Sequence, residues 1–145
     1  MRRMRVRSAL SAFALLLMFM WGAAACRHEV KLVESWSSTI LDGSKLKAAP
    51  RDGFICSEHA WAVLWKAWRS PEPVPDLDFS SDLVLVATAG GPNAVSIIPR
   101  LGPDGDLTFV VSSSKIGGPG FGYLLARIVR SGVHAINGVP VSICR

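Results

Sequence analysis

Three cysteines are the residues of this 145-residue chain whose side chains most directly suggest chemistry: Cys26, Cys56 and Cys144. A thiol can form a disulfide, bind a metal, act as a nucleophile or carry a covalent modification. Metal binding is poorly supported, because the chain has no CxxC or HxxxH spacing and its three histidines are scattered. The choice among the other roles depends on the compartment in which the protein works.

The N-terminus has the pattern of an export signal. Four arginines lie within the first seven residues, residues 9–21 are apolar, and Ala23–Ala25 is a small-residue stretch of the kind that signal peptidases cut. We therefore expect residues 1–25 to be a signal peptide and the protein to be exported. An uncleaved anchor is the alternative, since residues 8–25 reach the lower limit of a membrane span.

Cys26 directly follows the three alanines, and Ala-Ala-Ala-Cys resembles a bacterial lipobox, in which the cysteine is lipid-modified and becomes the first residue of the mature protein. The resemblance predicts a lipid anchor at Cys26, with Arg27 to about Glu29 as a short tether. A lipobox usually has leucine where this chain has Ala23. Ordinary cleavage beside Ala25, which would release a secreted protein, is the alternative.

Setting Cys26 aside leaves Cys56 and Cys144, which we expect to form a disulfide in an oxidising compartment. His59 lies three residues from Cys56 and could activate it as a nucleophile, but an exported free thiolate would be prone to oxidation. The chain has no GxSxG elbow, and no acidic residue lies in a setting that suggests glycoside hydrolysis. We predict no catalytic, cofactor-binding or metal-binding residues.

Two segments rich in glycine and proline are the most distinctive candidates for binding: Gly90–Asn93 and Gly117–Tyr123. Neither matches a phosphate-binding loop, which needs a Gly-Lys-Ser/Thr ending or a GxGxxG that opens a helix. Glycine and proline here could simply shape tight turns. The functional hypothesis is that both loops emerge at one end of a sheet and contact a partner. Its residues are Gly90, Gly91, Pro92, Asn93, Gly118, Pro119, Gly120, Phe121 and Tyr123.

An amphipathic helix is predicted over residues 57–69. Ser57 is a good N-cap, and Glu58 suits the positive end of the helix dipole. One stripe of this helix has the spacing i, i+3, i+4, i+7 and consists of Trp61, Leu64, Trp65 and Trp68. We expect the stripe to pack on a sheet; a platform for an aromatic or carbohydrate ligand is the alternative.

Most of the remaining chain has strand patterns. Strands are predicted over residues 29–38, 54–55, 82–89, 94–98, 107–113, 123–130, 133–136 and 139–143. The run 82–89 is apolar throughout and predicts a buried central strand, whereas 42–52 has the composition of a loop with at most a short strand near Leu46. Asn137-Gly138 predicts a type I′ hairpin.

These elements predict an α+β fold in a single globular domain over residues 26–145. The expected sheet is mostly antiparallel, a sandwich-like meander of about six to seven strands, with the one amphipathic helix near 57–69. The net charge of the whole chain is +5, but from residue 26 onward 12 basic residues face 11 acidic ones. This near neutrality argues against nucleic acid as a partner.

The segment EHAWAVLWKAWRSPEPVPDLDFSSDLVLVATAGG resembles the C-terminal domain of protease-complex B lipoproteins, the PrcB-like domain. The residues that carry the likeness are Trp61, Trp65, Asp78, Phe79 and 83–86, and GPGFGYLLARI resembles a later strand of the same domain. The match covers about residues 54–130. Where the family typically has a TGGY-type loop, this chain has GGPNAV.

The resemblance implies a non-catalytic protein, attached to the bacterial cell envelope, that stabilises or assists a partner protease. We therefore expect an exported, lipid-anchored binding or stabilising module that acts on a protein partner and needs no cofactor. A protease inhibitor that presents the two Gly-Pro loops is the alternative, and a small hydrolase is a third, weaker hypothesis.

Overall fold

The computed structural model describes residues 26–143, and in this range the protein has an α+β fold built on two sheets. The elements in chain order are β1 (His28–Glu29), β2 (Glu34–Ile40), a 3-10 helix (Gly43–Ala48), β3 (Phe54–Ile55), α1 (Glu58–Arg69), β4 (Asp82–Gly90), β5 (Val95–Leu101), β6 (Asp106–Ser113), β7 (Phe121–Val129), β8 (Ala135–Ile136), β9 (Val139–Pro140) and a second 3-10 helix (Val141–Ile143). The predicted fold class and the dominance of antiparallel pairing are confirmed.

The central layer is a four-stranded antiparallel sheet with the order β2-β7-β4-β3. Its two middle strands pair along their full length, from Asp82↔Val129 to Gly90↔Phe121. Alternate side chains of β4 are buried on opposite faces of this sheet, Leu83 and Leu85 in one core cluster and residues 84 and 86 in the other. Because both faces are covered, the sequence of β4 is apolar without alternation, as predicted for a central strand.

Helix α1 covers one face of the central sheet. The Ser57 hydroxyl accepts the Ala60 N–H (3.4 Å), so the predicted N-cap is confirmed. The whole stripe of Trp61, Leu64, Trp65 and Trp68 is buried, in one cluster with Val84, Phe121, Tyr123 and Leu125 of the sheet. The stripe is therefore a core-packing face, and the alternative of a ligand platform is wrong.

The indoles of α1 also attach neighbouring segments to the helix. Their N–H groups all donate to backbone carbonyls outside it: Trp61 to Pro75 (2.9 Å), Trp65 to Glu72 (3.2 Å) and Trp68 to Lys45 (2.9 Å). A buried indole N–H needs such a partner. The proline-rich connector after α1 and the first 3-10 helix are thus held against the helix.

A second sheet, with the order β1-β5-β6-β8-β9, covers the opposite face. Its inward side chains, including Ile97, Leu107 and Ile136, share a core cluster with Leu83 and Leu85 of the central sheet. β5 and β6 form an antiparallel hairpin, joined by a turn in which Gly105 has a φ of 79°. The central sheet therefore separates two apolar cores.

Two N-terminal predictions are wrong. Residues 29–38 are not one irregular strand, because β1 pairs with β5 and β2 pairs with β7, in different sheets. Residues 43–48 form a 3-10 helix rather than a loop with a strand near Leu46, since the Asp42 carboxylate accepts both the N–H (3.0 Å) and the hydroxyl of Ser44 and so initiates the helix.

At the C-terminal end, the hairpin around Asn137-Gly138 is confirmed, with φ of 48° and 79° at the two turn residues. Its strands β8 and β9 have only two residues each, and Val141–Ile143 is a 3-10 helix instead of a strand. β8 lies parallel to β6. The chain therefore crosses to the other sheet after β7 and does not end in a simple meander.

The Asp-Phe pair of the PrcB-like resemblance has a structural role here. Asp78 accepts the hydroxyl (2.6 Å) and the N–H (2.9 Å) of Ser80, and these hydrogen bonds hold the pKa of its carboxyl below the ordinary value. The Phe79 carbonyl accepts from the Arg130 guanidinium (2.8 Å). Both contacts fix the turn that leads into β4.

Candidate functional site

The two glycine-rich loops meet at one end of the molecule, as the functional hypothesis predicted. One loop follows β4 and the other precedes β7, and because these strands are antiparallel neighbours, their loop ends coincide. The Gly91 N–H donates to the Gly120 carbonyl (2.9 Å). We refer to residues 90–93 and 116–120, together with Leu41, as the Gly-Pro platform.

Asn93 is the residue that joins the two loops. Its side-chain amide donates to the carbonyls of Gly90 and Ile116, and its side-chain oxygen accepts from the Ile116 N–H (2.7 Å) and the Ser114 hydroxyl (2.9 Å). Asn93 itself is buried. One side chain thus satisfies groups on both loops, and the platform is held as one unit.

Close backbone approach explains two of the glycines. Gly91 has φ +76°, and a Cβ at this position would lie 2.7 Å from the Ile116 carbonyl oxygen. Gly120 has φ +83°, and a Cβ there would overlap the Ile40 carbonyl at the end of β2. Both loops therefore need glycine in order to pack against each other and against the neighbouring strand.

The outer surface of the platform is apolar and accessible. Leu41 is 71% exposed and Ile116 is 56% exposed. Leu41 adjoins Gly120, and Pro92 packs against Gly118. Gly118 and Pro119 are exposed, and Pro92 is half-buried. Leu41 and Ile116 were not among the predicted site residues, although an isoleucine within a polar, glycine-rich segment was a usable signal.

Phe121 and Tyr123 were predicted to contact a partner, but both are buried. Their rings pack on Trp68, with centroid distances of 5.3 and 4.9 Å. The Tyr123 hydroxyl accepts from Arg69 (2.9 Å). Burial acts to lower the pKa of Arg69, but hydrogen bonds to Glu72 and Tyr123 outweigh it and hold that pKa above its ordinary value. These two aromatic residues support the platform from below and do not form its surface.

Cys26 is an exposed free thiol at the other end of β5. The predicted tether from Arg27 to Glu29 is wrong, because His28 and Glu29 already form β1 and pair with Leu101 and Arg100 at the end of β5. β5 starts next to the platform, at Val95, so its seven residues separate Cys26 from the platform by about 20 Å.

The predicted signal peptide, residues 1–25, and Cys144 lie outside the described residues. The Cys56–Cys144 disulfide therefore stays a prediction, and Cys56 is partly buried against the core between the two sheets. Among residues 26–143, no group of three or more His, Cys, Asp or Glu side chains could hold a metal ion. In the same range, no helix has the length and apolar character needed to cross a bilayer.

Comparison of the chain with known proteins found no matching family model, no matching curated protein and no matching solved structure.

Proposed function

We propose that this chain is an exported, non-catalytic binding module that holds a protein partner through the Gly-Pro platform and is attached to the cell envelope by a lipid at Cys26. The observation that carries the proposal is the bracing of two loops by Asn93 into one surface with exposed Leu41 and Ile116. A surface that is already ordered loses little conformational entropy when a partner binds.

The position of Cys26 supports the same proposal. The thiol is exposed, and β5 places it at the end of the second sheet that is remote from the platform. A lipid at Cys26 would leave the platform directed away from the membrane and accessible to a partner. The PrcB-like resemblance suggests a protease as that partner.

The test compares two exposed apolar residues of similar accessibility, Ile116 on the platform and Val63 on α1, which is 51% exposed. A photo-reactive amino acid is introduced at each position, and the exported protein is irradiated in its own envelope fraction. We expect an adduct with one protein from position 116 and none from position 63. Equal adducts from both positions, or none from position 116, would contradict the proposal.

Affinity for the captured protein provides the second measurement. Ile116→Lys should weaken binding about tenfold or more, since a central apolar contact of an interface contributes roughly 1–3 kcal/mol. Val63→Lys should change it less than about twofold. The inhibitor alternative uses the same surface and differs in one result: a captured protease would lose activity in the complex instead of being stabilised by it.

A further inference from the structure

We propose that the free edge of β2 binds an extended, uncharged segment of the protein partner as an added antiparallel strand. The inference rests on the proposed function, because it gives that partner a second contact next to the Gly-Pro platform. Its basis is an edge strand with unpaired backbone groups that borders a cleft shared with the platform. Addition of a strand to an open sheet edge is a general mode of peptide recognition.

The backbone of β2 presents hydrogen-bonding groups on its open side. Among the described strands β2 pairs only with β7, and the Arg127 carbonyl accepts the Val33 N–H (2.9 Å). Just beyond the end of β7, the Arg130 N–H donates to the Ser81 carbonyl, on the side of β4. Arg130 and Arg127 are three residues apart, so their backbone groups point to opposite sides of the strand. The register Glu34↔Arg127 therefore directs the groups of Glu34, Trp36, Ser38 and Ile40 toward β7.

The N–H and C=O groups of the alternate residues, Ser35, Ser37 and Thr39, consequently point away from the sheet. In an antiparallel pair both groups of one residue point to the same side, so these three residues offer three donors and three acceptors in a row. An added strand of about seven residues could use all of them. The strands at the other ends of the two described sheets, β1, β3 and β9, have two residues each. β6 is also open beyond Leu107, where its pairing with β8 ends.

A cleft of about 390 Å³ lies beside β2 and extends to the platform. Ser37 and Thr39 line one side, and Pro92, Val95, Ser114 and Ile116 line the other. None of the lining side chains is an acid, a lysine, an arginine or a histidine. A charged side chain of the partner would lose water there without gaining a counter-ion, so the cleft favours uncharged side chains.

On the opposite face of β2, the half-buried Trp36 packs against Trp61 and Trp65, with ring centroids 5.3 and 5.4 Å away. An added strand would cover its remaining exposed surface. Natural edge strands are commonly protected by lysine, proline or a short length. β2 contains neither lysine nor proline over its seven residues, and its one charged residue, Glu34, lies at the far end facing Arg127.

The first test uses the exported protein and a phage library of random nine-residue peptides. We expect selected peptides to be uncharged at alternate positions. On addition of a selected synthetic peptide, exchange of the Ser35, Ser37 and Thr39 amides with solvent should slow by at least about tenfold. Exchange of the β7 amides should stay unchanged. The absence of selected peptides, or protection that appears elsewhere, would overturn the inference.

A matched pair of variants separates backbone from side-chain recognition. Ser37→Pro removes an outward N–H without removing a bond to β7 and should weaken peptide binding about tenfold or more. Ser37→Ala keeps that N–H and should change binding less than about threefold. The same peptide with N-methyl groups along one edge should not bind the unaltered protein, a result that is independent of whether any variant folds. Peptide binding that survives both Ser37→Pro and N-methylation of the peptide would overturn the inference.

Pairing of β2 with β2 of a second copy is the competing occupant. Protection of the same three amides that rises with protein concentration, without peptide, would show this occupant and overturn the inference. The two proposals fail in different ways. Loss of the adduct at position 116 removes the proposed function, whereas an adduct that is retained in Ser37→Pro, together with unchanged affinity for the captured protein, removes only the strand addition.

Discussion

Replacing Asn93 with alanine tests whether one side chain holds the Gly-Pro platform together. The change deletes four hydrogen bonds, to Gly90, to Ile116 twice and to Ser114. Each contributes about 0.5–1.5 kcal/mol net, and the Ser114 hydroxyl can turn toward water. The other three predict a loss of about 1.5–4.5 kcal/mol in the free energy of unfolding.

Urea unfolding of Asn93→Ala measures this loss as a lower midpoint at unchanged slope. Ser114→Ala is the control: it removes the bond that the hydroxyl donates to Asn93 and the one that it accepts from the exposed Ala94 N–H. It should cost about 0.5–1.5 kcal/mol, because water can replace the bond to Ala94. Amide exchange at Ile116 should also become faster, since its N–H loses its acceptor. A loss below about 1 kcal/mol, with Ile116 still protected, would refute the view that Asn93 joins the loops.

The remaining predictions concern the core, the cysteines and pH. Trp65→Ala should lower stability by about 3–5 kcal/mol in the same urea assay, because the indole is buried; a loss below about 1 kcal/mol would contradict this. Mass spectrometry after thiol blocking should find Cys56 and Cys144 unmodified, and two alkylated thiols would exclude the disulfide. Cys26→Ser should abolish membrane association and the added lipid mass; identical fractionation and mass, apart from the substitution, would exclude the anchor. The Ser80 hydroxyl lowers the pKa of Asp78, so the ionised carboxylate contributes stability above pH 3.8 that is lost as the pH falls further. Asp78→Asn should therefore make the decline of Tm below pH 3.8 less steep. An unchanged decline would contradict this.

Local sequence patterns were sufficient to predict the elements that depend on the spacing of nearby residues. The Trp stripe of α1, the apolar run of β4 and the Asn137-Gly138 hairpin all depend on spacings within a few residues. The split of residues 29–38 between two sheets could not be predicted in this way, because pairing partners distant in sequence decide it.

The candidate site was predicted in outline only. Glycine and proline marked both loops, and the antiparallel pairing of β4 and β7 was sufficient to bring them together. The brace between Asn93 and Ile116 joins residues 23 positions apart, so no local pattern reveals it. Alternation along β7 could not show that the face with Phe121 and Tyr123 is the one that α1 covers.

The pairing of β1 so soon after Cys26 determines how closely the proposed lipid anchor would hold the domain. His28 already pairs with β5, and the Arg27 guanidinium lies 3.5 Å from the Thr108 hydroxyl. A lipid at Cys26 would therefore be joined to the folded domain by almost no flexible linker. A domain on a long flexible tether samples many orientations and heights. This one would diffuse laterally with the platform at a nearly constant height of about 20 Å or more above Cys26. Partners whose binding segment is displayed at that height would be favoured over equally good ligands elsewhere in the envelope.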